Sequence, residues 1–211
     1  INKNYQEAIE LLNSINNVTQ DQYCSSEINF LLAEAHNKNS DIRSATESYL
    51  NVEDPTNEDS AKFNAAIIEM LNNEKSDNEL DNQLISTIQN NNIKGNALLE
   101  RGLLLASDGS DNAKFSIEQF IDQFPNHERI AEAHLAIASL LLQESPTNLE
   151  EANKSLITGK AHAVKSTDKE RADYLDFWIS ENSAEIAAIE VKGNLFLEKW
   201  PNSSHSPEIR M

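Results

Sequence analysis

The sequence predicts an all-α protein, and three features of its composition and patterning indicate this class. Leu and Ile together outnumber Val about ten to one, so the residues best suited to strands are scarce. Gly and Pro, which many short strands need at their turns, number five each. The third feature is a succession of amphipathic stretches with apolar residues at helical spacing, separated by short polar turns.

These stretches divide the chain into a leading helix and five helix pairs. The leading helix is predicted at 4–16, and the pairs at 22–37 and 41–52, 58–73 and 78–90, 92–107 and 111–124, 128–144 and 148–163, and 169–181 and 183–199. Residues suited to capping stand near most of the starts: Ser25 or Ser26, Asp41, Asp77, Asp111, Thr147 or Asn148, and Thr167 or Asp168. A last helix is expected to open at Pro207 and Glu208.

Proline spacing indicates the length of the repeating unit. Pro55, Pro125 and Pro201 each follow the end of a predicted helix, because proline pushes the preceding residue out of the helical region. The intervals are 70 and 76 residues, which correspond to pairs of helix-turn-helix units of about 35 residues. The predicted repeats therefore span 22–55, 58–90, 92–125, 128–163 and 169–201, with a half-repeat at 4–16.

Small residues recur where two helices must approach closely. A small residue opposite a large one lets two helix axes lie about 8–10 Å apart. In the predicted second helices a small residue precedes a large one by four positions, in the pairs Ala45 and Tyr49, Ala113 and Ile117, and Ala152 and Leu156. In the predicted first helices the small residues are Ala33, Gly102 and Ala138.

Two segments carry a resemblance to a known family. Residues 4–12, with Tyr5, Ala8 and Leu12 at matching places, resemble the second helix of a tetratricopeptide repeat (TPR). The run FIDQFPNH at 120–127, which recurs as FLEKWPNS at 196–203, resembles the phenylalanine-leucine-x-x-tyrosine-proline-x-serine signature of bacterial envelope TPR proteins. That group includes outer-membrane assembly lipoproteins and the TolA-binding type.

The resemblance implies a TPR-like right-handed superhelix of about five helix pairs plus the half-repeat. We expect a single domain over 1–211. Because the first residue is not Met and the helical pattern has already begun there, we also expect that this domain is excised from a longer protein. The location that the resemblance implies is the bacterial periplasm or the periphery of the outer membrane, with the cytoplasm as the alternative.

Charge and composition exclude several classes of partner. The formal net charge of -18 argues against nucleic acid and anionic membrane surfaces. Uninterrupted apolar stretches reach only four or five residues, so no direct membrane insertion is expected. The single cysteine, Cys24, excludes an internal disulfide and a cysteine-based metal cluster.

The sequence predicts no enzyme, no metal site and no cofactor. His127 begins the run HERIA, which starts like a zinc-protease helix, but the second ligand would be needed at Ala131. His134 lies two helical turns from His127, about 10 Å away and too far to share one zinc ion. The five glycines are scattered, and no serine sits in a Gly-x-Ser-x-Gly elbow.

The resemblance instead implies a binding surface, because in TPR folds the first helix of each pair lines the concave face. The positions that it assigns to partner contacts are Glu27, Phe30, Glu34 and Asn37, then Asn96, Leu99 and Leu103, then Glu132, Leu135 and Ser139. The set is acidic at its edges and apolar in its middle, which fits a basic or amphipathic protein or peptide. The alternative for the apolar positions is packing against neighbouring repeats.

We therefore predict a non-catalytic protein–protein interaction scaffold that holds a partner segment on its concave face. Two alternatives stay open. One is a substrate-recruiting module of a larger enzyme, which a catalytic motif elsewhere in that protein would reveal. The other is a structural spacer or self-association module, which concentration-dependent dimers would reveal.

Overall fold

The computed structural model describes residues 4–72, 79–144, 147–184 and 186–210. Every regular element in these ranges is a helix. The twelve helices described are α1 (Tyr5–Asn16), α2 (Gln22–Lys38), α3 (Ile42–Leu50), α4 (Glu58–Asn72), α5 (Glu79–Thr87), α6 (Asn91–Ser107), α7 (Ala113–Gln123), α8 (Ile130–Gln143), α9 (Leu149–His162), α10 (Ser166–Asn182), α11 (Ile186–Lys199) and α12 (Ser206–Ile209).

These bounds confirm the predicted helices, with ends that differ by at most three residues. The predicted opening of a last helix is also confirmed, since α12 begins at Ser206. The predicted start of α5 at 78 and its proposed cap Asp77 lie outside the described residues.

Capping residues were harder to predict than the helices themselves. Asp41 and Asn148 are confirmed, because their side chains accept the backbone N–H groups three residues on, at 3.2 and 3.3 Å. The cap of α2 is Asp21, since this helix begins before Ser25 and Ser26. Thr167 and Asp168 lie within α10, whose N-cap Lys165 makes no capping hydrogen bond with its side chain.

The helices group into two compact units, Ile1–Asn112 and Ala113–Met211. In the first unit α1 packs on α2, α2 on α3, and α3 on α4, while α4 also contacts α5 and α6. In the second unit α7 packs on α8, α8 pairs with α9, and α10 contacts α8, α9 and α11. The predicted repeat 92–125 divides between the units, because α6 belongs to the first and α7 to the second. A single continuous domain over 1–211 stays a prediction.

The small residues singled out in the sequence lie in the helix interfaces. Ala33 and Ala138 have no exposed surface, and Gly102 is buried as well. All six members of the small-and-large pairs are buried: Ala45 and Tyr49, Ala113 and Ile117, and Ala152 and Leu156. The four-residue spacing therefore identified the buried side of α3, α7 and α9.

The turn before α8 and the turn before α12 contain the same hydrogen bond between a side chain and the backbone. The two turns lie 76 residues apart in the sequence. In the first turn Nδ1 of His127 accepts the backbone N–H of Arg129 at 3.2 Å. In the second turn Oγ of Ser203 accepts the backbone N–H of His205, also at 3.2 Å. The two copies of the sequence signature thus build the same turn, and each turn leads into a new helix.

We expect Gly159→Ala to destabilise the second unit, although alanine favours helix over glycine. A Cβ atom at position 159 of α9 would lie 2.8 Å from Cδ2 and 2.9 Å from Cγ of Leu135 on α8. Leu135 is fully buried, so it has no open space to move into, and overpacking of this kind costs about 1–3 kcal/mol. Urea unfolding measures the change in the free energy of unfolding.

The double variant Gly159→Ala with Leu135→Ala is the control for this mechanism. Leu135→Ala alone should cost about 2–5 kcal/mol by leaving a cavity. If the two side chains compete for one space, the double variant will be more stable than the sum of the single effects predicts. Strictly additive effects would show that the contact between Gly159 and Leu135 does not limit packing here.

Candidate partner-binding surface

In the first unit the predicted contact residues divide between surface and core. Glu27 and Glu34 of α2 are exposed, whereas Phe30 is half-buried and packs edge-on against Tyr49, with ring centroids 5.2 Å apart. Asn37 is half-buried near the end of the same helix. The two acidic side chains are therefore the predicted residues of α2 that lie fully open to a partner.

Two apolar residues of α2 that the sequence reasoning missed lie on the same side as these acids. Tyr23 is 66% exposed and Leu31 is 50% exposed. With Glu27 and Glu34 they follow the spacing of one helical face, at positions 23, 27, 31 and 34. We call these four residues the α2 stripe. The signal that could have found them is this spacing, which alternates apolar and acidic side chains.

Two predicted contact residues are wrong. Leu99 of α6 and Leu135 of α8 have no exposed surface, so neither side chain can reach a partner. Their burial agrees with the alternative given in the sequence analysis, in which the apolar positions of first helices pack against neighbouring helices. Asn96 and Leu103, also on α6, are half-buried.

In the second unit the predicted residues Glu132 and Ser139 keep partial exposure. The Glu132 carboxylate accepts two N–H groups of the Arg129 guanidinium, at 2.7 and 3.0 Å. Ser139 lines a cavity of about 390 Å³. Its other lining residues are Thr167, Glu170, Arg171, Tyr174, Leu175 and His205, and we call this cavity the α8–α10 groove.

An aromatic pair forms one wall of the α8–α10 groove. The rings of Tyr174 and His205 stack with centroids 3.8 Å apart. The Tyr174 hydroxyl donates to the Glu208 carboxylate at 2.9 Å, which joins α10 to α12. Burial, followed by this hydrogen bond, raises the pKa of Tyr174 to about 12, so the hydroxyl stays protonated at neutral pH.

A different side of α10 carries a network of paired charges. Asp176 accepts from Lys192 of α11 at 2.7 Å and also contacts Lys160 of α9. Asp173 accepts from Lys199 at 2.7 Å. The indole N–H of Trp200 also donates to Asp173, at 2.9 Å. The network links α9, α10 and α11, and it borders a cavity of about 590 Å³.

The two histidines considered as zinc ligands lie on α8 and in the turn before it. The His127 ring meets Phe120 edge-on at 5.2 Å and belongs to the turn before α8. His134 is half-buried, and burial, together with the nearby His162, lowers its pKa. Among the described residues, no three His, Cys, Asp or Glu side chains come close enough to hold a metal ion.

No described helix is long and apolar enough to cross a membrane.

No protein-family model, no curated protein and no solved structure matches this chain.

We expect Asp176→Asn to lower the free energy of unfolding at pH 7 by about 1–2 kcal/mol, because two lysines lose a charged acceptor. Burial on its own would raise the pKa of Asp176, but hydrogen bonds from Lys160 and Lys192 hold it below the ordinary value of 3.8. The ionised carboxylate therefore stabilises the fold above that value, and the contribution is lost as the pH falls through the lower folded pKa.

Urea unfolding at a series of pH values checks this prediction. The difference between wild type and Asp176→Asn should be full at neutral pH and should shrink toward zero in strong acid. Glu198→Gln is the matched control, because Glu198 lines the same cavity and makes no ion pair in the described part of the chain. Its effect should stay within about 0.5 kcal/mol. An equal loss for both variants would contradict the assignment.

Proposed function

We propose that this protein is a non-catalytic scaffold of the TPR-like solenoid type that binds a basic, amphipathic segment of a partner protein. The observation that carries this proposal is the α2 stripe, which presents two exposed apolar side chains and two exposed carboxylates along one helical face. A partner helix with apolar and basic residues at the same spacing complements it.

The packing order within the units supports the solenoid part of the proposal. In the second unit the first helices α8 and α10 contact each other, and the second helix α9 packs on both. In the first unit α4 and α6 are related in the same way, as successive first helices. Contacts restricted to near neighbours in the chain are typical of repeat proteins, in which each pair covers the apolar side of the one before.

The distribution of charge supports a basic partner. The first unit contains 19 acidic and 7 basic residues, whereas the second contains 16 and 10. The potential around the first unit is therefore the more negative, and it attracts a basic segment before contact. The apolar residues Tyr23 and Leu31 then add buried contact area once the partner is in place.

In the proposed mechanism the binding free energy is the sum of several weak contacts. Exposed ion pairs contribute about 0.2–1 kcal/mol each, so several contacts must act together to hold the partner. A single substitution should weaken binding without abolishing it. The two alternative functions, a recruiting module of an enzyme and a self-association module, draw on the same surfaces.

The test uses a synthetic 18-residue amphipathic helix made of leucine and lysine as probe, and fluorescence anisotropy as the readout. Binding should weaken as the salt rises from about 0.05 M to about 0.5 M, because exposed charges are screened. The double variant Glu27→Lys with Glu34→Lys should weaken binding about five- to thirty-fold, as expected when two favourable charge pairs become repulsive.

The matched control is the double variant Glu118→Lys with Asp122→Lys on α7, where both side chains are also exposed. This control changes the net charge by the same amount as the Glu27→Lys and Glu34→Lys double variant, but on α7 instead of α2. If both double variants weaken binding equally, the probe responds to net charge and not to the α2 stripe. Binding that is unchanged by salt would contradict the electrostatic part of the proposal.

A further inference from the structure

One side of α11 presents apolar and basic residues to solvent. Val191 and Leu195 are each 58% exposed, although α11 packs on α10 and contacts α12. The side chains of Lys192 and Lys199 keep 35% and 55% of their surface exposed. These four positions lie within about 100° of one another around the helix axis, because one turn takes 3.6 residues. We call these four residues the α11 stripe.

The two lysines of the α11 stripe are held in place by aspartates of α10. Lys192 donates to Asp176 at 2.7 Å. Lys199 donates to Asp173, also at 2.7 Å. A lysine ammonium has three N–H groups, so each of these lysines can donate to a further acceptor. Lys160 is a third lysine on the same two aspartates, which leaves the network with one uncompensated positive charge.

The α2 stripe and the α11 stripe match when they are read in opposite directions. From Glu27 the pattern along α2 is an acid, a leucine four residues later, and an acid three residues after that, at Glu34. Read backwards from Lys199, the pattern along α11 is a lysine, a leucine after four residues, and a lysine after three more. Each pattern covers about 10.5 Å, because a helix rises 1.5 Å per residue. An antiparallel pair of these helices therefore places each carboxylate opposite an ammonium group and one leucine opposite the other.

Other pairings of the two stripes match less well. Two α2 stripes would bring the carboxylates of Glu27 and Glu34 together with their counterparts, and two α11 stripes would bring lysines together. Like charges repel at this range. A parallel pair of unlike stripes would align the charges but would place Leu31 opposite Phe196, which is buried, instead of Leu195. The antiparallel pair of unlike stripes is the one in which the charges and the leucines match together.

We propose that the α2 stripe of one copy of this chain binds the α11 stripe of a second copy, with the two helices antiparallel. This inference rests on the proposed function, since α11 carries the basic and apolar residues that the proposed partner segment must have. It names a second copy of the chain as one such partner. Self-association and the binding of any other basic segment then compete for the same α2 stripe.

The contact is weak, and three features keep it so. A single helix pair with a few exposed apolar side chains offers less than the roughly 1,000 Å² that stable interfaces bury. Glu198 borders the α11 stripe and repels the incoming carboxylates. The formal net charge of -18 repels whole copies from a distance. We expect a dissociation constant on the order of 0.1 mM.

The first test measures self-association by sedimentation equilibrium at protein concentrations up to about 1 mM. The weight-average mass should rise above the monomer mass of 23.6 kDa as the concentration increases. The double variant Glu27→Lys with Glu34→Lys should weaken association at least about fivefold, although it also lowers the repulsion between whole copies. Glu118→Lys with Asp122→Lys on α7 makes the same change in net charge and should not weaken it. Equal effects of the two double variants would overturn the proposal.

Variants of α11 test the other side of the contact. Lys192→Gln with Lys199→Gln should weaken association to a similar extent. Lys160→Gln is the matched control, because Lys160 contacts the same aspartates from α9 and lies outside the α11 stripe. Leu195→Ser should also weaken association while leaving the ion pairs intact, and Glu198→Gln should strengthen it. Urea unfolding checks that each variant is folded, and association unchanged by both Leu195→Ser and the lysine variant would overturn the proposal.

Mixing the two double variants tests whether unlike stripes pair. The copy with lysines at 27 and 34 keeps an intact α11 stripe, and the copy with glutamines at 192 and 199 keeps an intact α2 stripe. An equimolar mixture therefore retains one wild-type contact and should associate more strongly than either variant alone. A mixture that associates no better than its components would overturn the proposal, because pairing of like stripes gives that result.

A nitroxide label on Cys24, the single cysteine, tests the orientation. The labelled copy is mixed with an isotopically labelled copy that carries Cys24→Ser, and loss of amide NMR signals is measured in the second copy. The antiparallel register predicts loss around residue 202, whereas a parallel register predicts loss around residue 189. Loss around 189, or loss confined to other helices, would overturn the proposed contact.

The leucine–lysine helix separates the failure of this inference from the failure of the proposed function. If that helix binds the α2 stripe and dissociates the assembled protein, both are supported. If the helix binds but the protein stays monomeric up to about 1 mM, the scaffold function stands and this inference alone fails. If the protein associates through the two stripes but the helix does not bind, the proposed binding of other basic segments fails and the contact between copies stands.

Discussion

Close approach between neighbouring helices is the constraint on which the rest of this structure depends. Each helix buries one side against its neighbours, and small residues at the contact set the distance between their axes. Gly159 of α9 receives the Leu135 side chain of α8, and Ala33 and Ala138 lie in similar interfaces with no exposed surface. Because the packing is fixed on these sides, the opposite sides of the helices are free to carry charge.

That freedom is used in two ways on α10. Asp173 and Asp176 are paired with lysines of α9 and α11, so their charges hold three helices together. Asp168 and Arg171, earlier on the same helix, interact electrostatically with each other and with Glu132, and burial opposes the charged form of both.

The two candidate surfaces differ in the chemical groups that they present to a partner. The α2 stripe combines exposed carboxylates with Tyr23 and Leu31, so the binding proposed there would depend on the side chains of the partner and on ionic strength. The α8–α10 groove is lined by the hydroxyls of Ser139 and Thr167 and by the charged side chains of Glu170 and Arg171, so it offers hydrogen-bonding groups of both kinds.

The sequence by itself determined the helices and much of the core. The shortage of valine predicted the all-α class, and helical spacing located the helix ends to within three residues. Pairs such as Ala152 and Leu156 identified buried faces. These features are local, since they depend on spacing within one helix. The acids Glu27 and Glu34 were assigned by the resemblance to TPR proteins, and both are exposed.

Only the tertiary structure decided which of the candidate residues are accessible and which charges have partners. Leu99 and Leu135 looked like contact residues, yet neighbouring helices cover them completely. Asp168 and Asp176 are the same residue type on one helix, and no local pattern predicts that Asp176 forms direct ion pairs with two lysines. The difference comes from Lys160 and Lys192, which only the packing of α9 and α11 brings to Asp176. Accessibility and pairing depend on residues far apart in the chain, so spacing along one helix cannot encode them.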